Sequence, residues 1–304
     1  MLNYILLLVG FVMLIKGADV FVDSSSSIAK KFGIPSIVVG LTIVAMGTSA
    51  PELSVSVQSA LAGMNDMSIA NVVGSNIFNL LVVLGLSSVV NKLKISNYKD
   101  VIVMFLVGLL MLLCSIDGML GVCDGLFLLV IFAFYILSLI FKAFRENQKE
   151  ETAEKERSIF ITILLCIIGL AAIVWGGDLV VNSASVIAQQ LGMSENLIGL
   201  TVVAVGTSLP ELVTSLMATK KGELDIAIGN VVGSNIFNML LILGAASVIN
   251  PMIVSTFALI DLIFVIVAMI VFMLITYKDK TLSKIKGLPL VLMYVVYIIF
   301  TIIR

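Results

Sequence analysis

The chain contains no histidine. An imidazole proton relay and a histidine-ligated haem are therefore excluded. Cysteine is scarce as well. Cys114, Cys123 and Cys166 lie in or beside apolar segments without metal-ligand spacing, and they read as packing residues. Charged residues make up only 12% of the 304, with a net charge of −1, which offers no electrostatic hook for nucleic acid. The opening stretch MLNYILLLVGFVMLIKG lacks the basic head and cleavage site of a secretory signal, so it reads as a retained first helix.

What fills the chain instead is apolar: 60% of residues, with a mean hydropathy of +1.20. Runs of about 18 or more apolar residues recur along the whole length, the mark of a polytopic membrane protein built from helices. Breakers divide these runs into ten expected spans. The first five are 3–22, 36–61, 67–89, 100–116 and 121–142; the second five are 159–180, 195–218, 225–248, 254–276 and 286–303. A mixed-charge stretch, KAFRENQKEETAEKER from Lys142 to Arg157, separates the halves. The expected organisation is a first five-helix repeat (1–142), a cytoplasmic linker (143–157) and a second repeat (158–304).

Basic residues then orient the spans. With both termini outside, the inward loops collect sixteen of the 18 Lys and Arg, leaving Lys16, which can snorkel inward, and Arg304. Five spans per half is odd, so the second half enters the membrane from the opposite side. The loops carry the same signature: Lys30-Lys31 aligns with Gln189-Gln190, and Leu61-Ala62 aligns with Lys220-Lys221. The expected fold is thus all-α, ten transmembrane helices as two inverted five-helix repeats, with helices 2, 3, 7 and 8 broken.

The repeat itself is visible in two motifs. GLTIVAMGTSAPEL, from Gly40 to Leu53, returns 159 positions later as GLTVVAVGTSLPEL with eleven of fourteen residues identical. NVVGSNIFN, from Asn71 to Asn79, returns unchanged from Asn230 to Asn238. Each copy of the first motif places a glutamate, Glu52 or Glu211, in apolar surroundings. A charge at mid-membrane costs about 2.5 kcal/mol or more, so such a residue points to function.

The neighbouring residues supply oxygen. Pro51 has no N–H, which frees the carbonyl of Gly47, and Pro210 does the same for Gly206. Thr48, Glu52 and Ser56 share one helical face, as do Asn71, Ser75 and Asn79, with Gly74 expected to permit close helix approach. These hard oxygen donors suit Ca²⁺ or Na⁺ and lack the nitrogen and sulfur favoured by zinc or copper. Taken singly, each feature has a structural reading: serine and asparagine glue helices, and a Gly-Pro pair kinks one. Their joint occurrence, twice at identical spacing, favours an ion site. Asp19 and Asp178 match across the repeat and are expected near a helix end. Asp117, Asp124 and Asp261 have no counterparts and are placed near interfaces. Gly10 and Gly17 match Gly169 and Gly176, a small-residue stripe that would let two helices slide.

At these motifs the chain resembles the cation/Ca²⁺ exchanger superfamily, specifically its prokaryotic Na⁺/Ca²⁺ exchanger branch, over essentially its whole length. The resemblance implies four clustered cation sites. Glu52 and Glu211 would bind Ca²⁺ with the carbonyls of Thr48 and Thr207. One flanking Na⁺ site would use the Ala45 carbonyl with Thr48, Ser49, Glu52 and Ser75. Its mirror would use the Ala204 carbonyl with Thr207, Ser208, Glu211 and Ser234. Asn79 and Asn238 would line the middle, and the first and sixth helices would slide against the other eight. Potassium-dependent relatives typically carry Asp where this chain has Asn238, which argues against K⁺ co-transport and for electrogenic exchange.

The function expected is a secondary antiporter of the cytoplasmic membrane that exchanges Na⁺ for Ca²⁺. It is not an enzyme; no cofactor and no obligatory protein partner are expected, and the chain is expected to be a monomer. H⁺/Ca²⁺ exchange, or carriage of another hard divalent ion, is the alternative. A passive channel is disfavoured because paired buried carboxylates hold ions too tightly for fast conduction. An intramembrane protease is disfavoured because no further catalytic group accompanies the glutamates.

Overall fold

The structure is a computed structural model that describes residues 2–145, 158–193 and 204–303. The inter-repeat linker from 146 to 157 and residues 195–203 of the expected seventh span lie outside the described residues. Among the described residues, eight helices are long and apolar enough to cross a membrane, and a pair bent by 48° supplies a ninth crossing.

In the first half, α1 spans Leu2–Phe32. The next crossing is assembled from pieces: α2 Ser36–Val39, a π-helical turn Gly40–Val44, α3 Ala45–Thr48 and α4 Ala50–Leu61. The third is continuous from α5 (Asn65–Phe78) through a π-helical turn (Asn79–Val83) into α6 (Leu84–Val90). Helices α7 (Tyr98–Ser115) and α8 (Val122–Arg145) complete the half.

The second half repeats the series. It runs α9 (Ile159–Gln190), α10 (Ala204–Gly206), α11 (Leu209–Lys221), α12 (Leu224–Phe237), a π-helical turn (Asn238–Ile242), α13 (Leu243–Ile249), α14 (Thr256–Thr276) and α15 (Lys284–Ile303). Two of the π-helical turns begin at Asn79 and Asn238, the same motif position in each half. The third and eighth expected spans are therefore bulged rather than broken. An extra residue in a turn re-aims the side chains that follow without ending the helix.

Two expectations about the first helices change. Helices α1 and α9 each run ten residues beyond their expected ends at 22 and 180. The polar run Ser24–Ser26 stays helical because those serines are buried. Ser26 donates to Glu223 Oε1 at 2.5 Å, and Ser25 Oγ lies 3.9 Å from Cys166 Sγ. Asp19 and Asp178 consequently sit inside their helices rather than near an end. Asp19 and Asp23 both pair with Lys221, each at 2.6 Å, which fastens α1 to the C-terminal end of α11. Asp117 lies in a loop and Asp124 in the first turn of α8, where they accept from the amides of Met119 and Gly121 respectively.

Helices α1 and α9 cross antiparallel with almost nothing between them. A Cβ on Gly17 would stand 2.9 Å from the carbonyl oxygen of Gly169, and one on Gly10 would stand 2.9 Å from that of Gly176. The matched glycines therefore meet as a seam. Gly74 does not act in this way: a Cβ there meets nothing within 4 Å among the described residues, whereas one on its counterpart Gly233 would press on Leu41 and Ala45 at 2.8 Å.

The fold is not purely helical. Strands β1 (Leu93–Lys94) and β4 (Thr281–Leu282) pair antiparallel, as do β2 (Met119–Leu120) and β3 (Met252–Ile253). Each ribbon joins a loop of one half to a loop of the other. Most of the buried apolar core lies around α5–α7 and α12–α15, and a second cluster lines α1 and α9.

Candidate cation site

The two GTS-x-PE segments form helix breaks. Ser49 leaves helical geometry with φ −82° and ψ 8°, yet its amide still reaches the Ala45 carbonyl at 3.0 Å. Pro51 then falls in the first turn of α4, where its missing N–H would be unpaired in any case. Ser208 breaks the second copy in the same way, with φ −92° and ψ 6°, and Pro210 lies in the first turn of α11. Both breaks carry the glutamate that follows into a first helical turn, the end of a helix at which an anionic side chain is favoured.

Glu52 and Glu211 are both fully buried. Among the described residues no ion pair reaches either one. Their hydrogen bonds cross between the halves. Ser49 donates to Glu211 Oε1 at 2.9 Å, and Ser208 donates to Glu52 Oε1 at 3.2 Å. Ser208 Oγ also lies 3.0 Å from Ser75 Oγ, and Ser75 Oγ stands 3.4 Å from Glu52 Oε1. Thr48 reaches Asn230 Oδ1 at 3.0 Å, and Ser234 lies 3.5 Å from the Ala45 carbonyl oxygen. Two polar clusters result. One holds Ala45, Thr48, Ser49, Glu211 and Ser234; the other holds Ser75, Ser208 and Glu52. The resemblance groups Ser49 with Glu52 and Ser208 with Glu211, one half at a time. In the fold each serine faces the carboxylate of the opposite half, because the repeats are interleaved at the breaks.

The remaining expected residues lie as follows. Asn79 and Asn238 are buried, and Asn238 Nδ2 donates to Asn76 Oδ1 at 3.0 Å. Thr207 is half-buried, at the break after α10. Ala204 opens α10. Four more asparagines line the same region: Asn71, which the sequence placed on the donor stripe, and Asn76, Asn230 and Asn235, which it did not. Asn71 and Asn230 hold the glutamate backbones, with Nδ2 3.2 Å from the Glu52 carbonyl oxygen and 3.4 Å from that of Glu211. Asn76 and Asn235 bridge the halves, Asn76 Nδ2 lying 3.4 Å from the Asn235 carbonyl oxygen. All four stand inside NVVGSNIFN, so the exact repetition of that block was the available signal.

What sets this cluster apart is its unmet hydrogen bonding. Glu52 Oε2, Glu211 Oε2, Thr207 Oγ1, Thr214 Oγ1, Asn238 Oδ1 and both amide atoms of Asn79 are buried without a partner among the described residues. A buried polar atom left unpaired costs about 1–3 kcal/mol, more if charged, and native structures contain few of them. Here most of the orphans are oxygens gathered about two carboxylates. Among the described residues there is no cluster of three His, Cys, Asp or Glu. A cation bound at this place would therefore be held by two carboxylates and by neutral hydroxyl, amide and carbonyl oxygens, a donor set for hard ions.

The chain as a whole is similar to known proteins. The sequence profile of the family described as "Sodium/calcium exchanger protein" matches residues 2–141 and 161–303. The sodium/calcium exchanger MaX1 of Methanosarcina acetivorans is 32% identical, with 98% of this chain and 97% of that protein aligned. The inner membrane protein YrbG of Escherichia coli K12 is 36% identical over 81% of this chain and 79% of its own length. The solved structure of the sodium-calcium exchanger NCX_Mj, soaked with Na⁺ and Ca²⁺, superposes with a TM-score of 0.88 at 30% identity, covering 98% of both chains. With profile, relatives and fold in accord, this chain belongs to the sodium/calcium exchanger family, a family of membrane transporters rather than enzymes.

Proposed function

We propose that the protein is a secondary antiporter that exchanges Na⁺ for Ca²⁺ across the cytoplasmic membrane by alternating access. The observation that carries this reading is the cluster of orphaned oxygens around Glu52 and Glu211. Either load, one Ca²⁺ or several Na⁺, supplies the missing partners and offsets the two charges. An empty pair of buried carboxylates is costly to move through the membrane. A site that moves readily only when loaded is an exchanger.

The twelve ligand positions of this reading are Ala45, Thr48, Ser49, Glu52, Ser75 and Asn79 with Ala204, Thr207, Ser208, Glu211, Ser234 and Asn238. The crossed hydrogen bonds favour cages that each draw on both halves. The whole chain is read as ten spans, residues 1–142 and 158–304 forming inverted repeats about a cytoplasmic linker at 143–157, with both termini outside. The pairing of β1 with β4 supports this topology, because it joins the loop bearing Lys92 and Lys94 to the loop bearing Lys278 and Lys280. Neutral Asn238 leaves two carboxylates at the centre. Loading three or more Na⁺ then leaves net positive charge, so exchange is electrogenic, and no third carboxylate invites K⁺.

The test is uptake of radiolabelled Ca²⁺ into proteoliposomes under a Na⁺, K⁺ or pH gradient imposed one at a time. An outward Na⁺ gradient should drive uptake, a clamped membrane potential should change its rate, and K⁺ should neither drive nor be required. Glu52→Gln and Glu211→Gln should abolish the flux. Uptake that ignores Na⁺ but follows pH would replace this reading with H⁺/Ca²⁺ exchange.

A further inference from the structure

A hydroxyl that ligates a cation does so through its lone pairs, so its single proton must be directed elsewhere. At Thr48 the proton has a built acceptor. Thr48 Oγ1 lies 3.0 Å from Asn230 Oδ1; two further acceptors stand within its reach, the Ala45 carbonyl at 3.4 Å and the Glu211 carboxylate. The orientation of the Asn230 amide is fixed independently. Its Nδ2 donates to Ser215 Oγ at 2.9 Å and to the Glu211 carbonyl at 3.4 Å. A carbonyl only accepts, so the nitrogen must face Glu211 and the oxygen must face Thr48. Thr48, Ser215 and Asn230 are all fully buried, and water does not substitute freely for any of these partners.

The other half shows that the amide orientation does not depend on the threonine contact. Asn71 Nδ2 donates to Ser56 Oγ at 2.9 Å and to the Glu52 carbonyl at 3.2 Å, the same pair of anchors. Yet Thr207 Oγ1, the counterpart of Thr48, has no partner among the described residues. The anchors come from the asparagine's own half, and the threonine contact is an addition to them.

We propose that Asn230 is a positioning residue for cation binding: its pre-set Oδ1 takes the Thr48 proton and leaves the Thr48 oxygen lone pairs for the ion. The proposal rests on the exchange reading in that it takes Thr48 as a ligand. Without Asn230, the Thr48 hydroxyl is free to turn its proton towards a neighbouring carboxylate, where it competes with the cation.

The experiment is a double-mutant cycle between Asn230→Leu and Thr48→Val, read as the Na⁺ concentration that half-maximally shifts the melting temperature of the purified full chain in Na⁺-free buffer. Asn230→Leu alone should raise that concentration about tenfold, the scale of one hydrogen bond to a ligating group. In the Thr48→Val background it should raise it less than about twofold, and in the Thr48→Ser background the tenfold effect should return. Equal effects in the Val and wild-type backgrounds would overturn the proposal, since a purely structural asparagine acts whatever stands at 48. If Asn230→Leu does not fold, Asn230→Val is read in the same cycle. Wild-type flux separates the two levels of argument. If Ca²⁺ flux is not driven by Na⁺, the exchange reading falls and the cycle is read with Ca²⁺ in place of Na⁺. If flux is driven by Na⁺ and the cycle is multiplicative, only the role of Asn230 falls.

Discussion

Two adjacent glycines of α9 provide an internal comparison. A Cβ on Gly176 would lie 2.8 Å from the Leu14 amide nitrogen, 2.9 Å from the Gly10 carbonyl oxygen and 2.9 Å from Met13 Cβ. Two of those three neighbours are backbone and cannot rotate away. Contacts between such atoms settle near about 3.5 Å, so alanine at 176 forces α1 and α9 apart by roughly 0.6 Å. Among the described residues, a Cβ on Gly177 would meet only Pro210, at 3.6 and 3.8 Å, which is ordinary contact. Both substitutions gain up to about 1 kcal/mol of helix propensity, and that gain cancels in the comparison. What remains is the overpacking at 176, about 1–3 kcal/mol. At roughly 2–4 °C per kcal/mol, Gly177→Ala should melt several degrees above Gly176→Ala. Thermal unfolding in detergent at one fixed scan rate reads the difference, because irreversible unfolding makes the midpoint depend on rate. If the two variants melt within a degree of each other, the α1–α9 seam is not as close as described.

Two further outcomes are expected. Lys221→Met removes the pairs to Asp19 and Asp23, whose side chains are 42% and 63% exposed. Such partly solvated pairs contribute about 1 kcal/mol or less, so the melting temperature should drop by a few degrees in dilute buffer. The drop should shrink in 1 M KCl, where the Debye length is about 3 Å; a salt-independent loss would mean that packing, not charge, is at work. Glu211→Gln keeps the shape of the side chain but removes one unit of charge. Coulomb energy scales with the product of charges, so at a shared position Ca²⁺ should lose about twice the binding free energy that one Na⁺ loses, whatever the local dielectric. Titrating each ion against thermal stability measures both losses, and equal losses would contradict a shared carboxylate cage.

Much of this molecule is legible in its sequence, and the limits are specific. Hydropathy places the helices, and the exact repeat marks Glu52, Glu211 and their hydroxyl neighbours, because a carboxylate in an apolar run has few reasons to exist. Local spacing cannot say which carboxylate a serine faces. Ser49 is three residues from Glu52 yet bonds Glu211, since the break at Ser49 turns its side chain towards the opposite repeat. Hydropathy also ends α1 too early. Asp23 and the serines after it look like a loop until Lys221 and Glu223 are known to stand opposite. Gly74 and Gly233 occupy the same place in identical nonapeptides, but what each one meets is decided by a different partner segment. The π-helical turns and the two-residue strands leave no trace in composition, because they depend on how neighbouring helices and loops meet.

The two short ribbons have a mechanical consequence out of proportion to their size. One fastens Leu93 and Lys94 to Leu282 and Thr281; the other fastens Met119 and Leu120 to Ile253 and Met252. They sit at the two ends of α7, so the halves are stapled to each other at both faces. If the two halves rocked apart like the jaws of a clamp, both staples would have to open. Helices α1 and α9 belong to neither ribbon, and they meet each other along a seam of glycine backbone. The ribbons thus resist separation of the halves at both ends of α7, and α1 and α9 carry no part of that load.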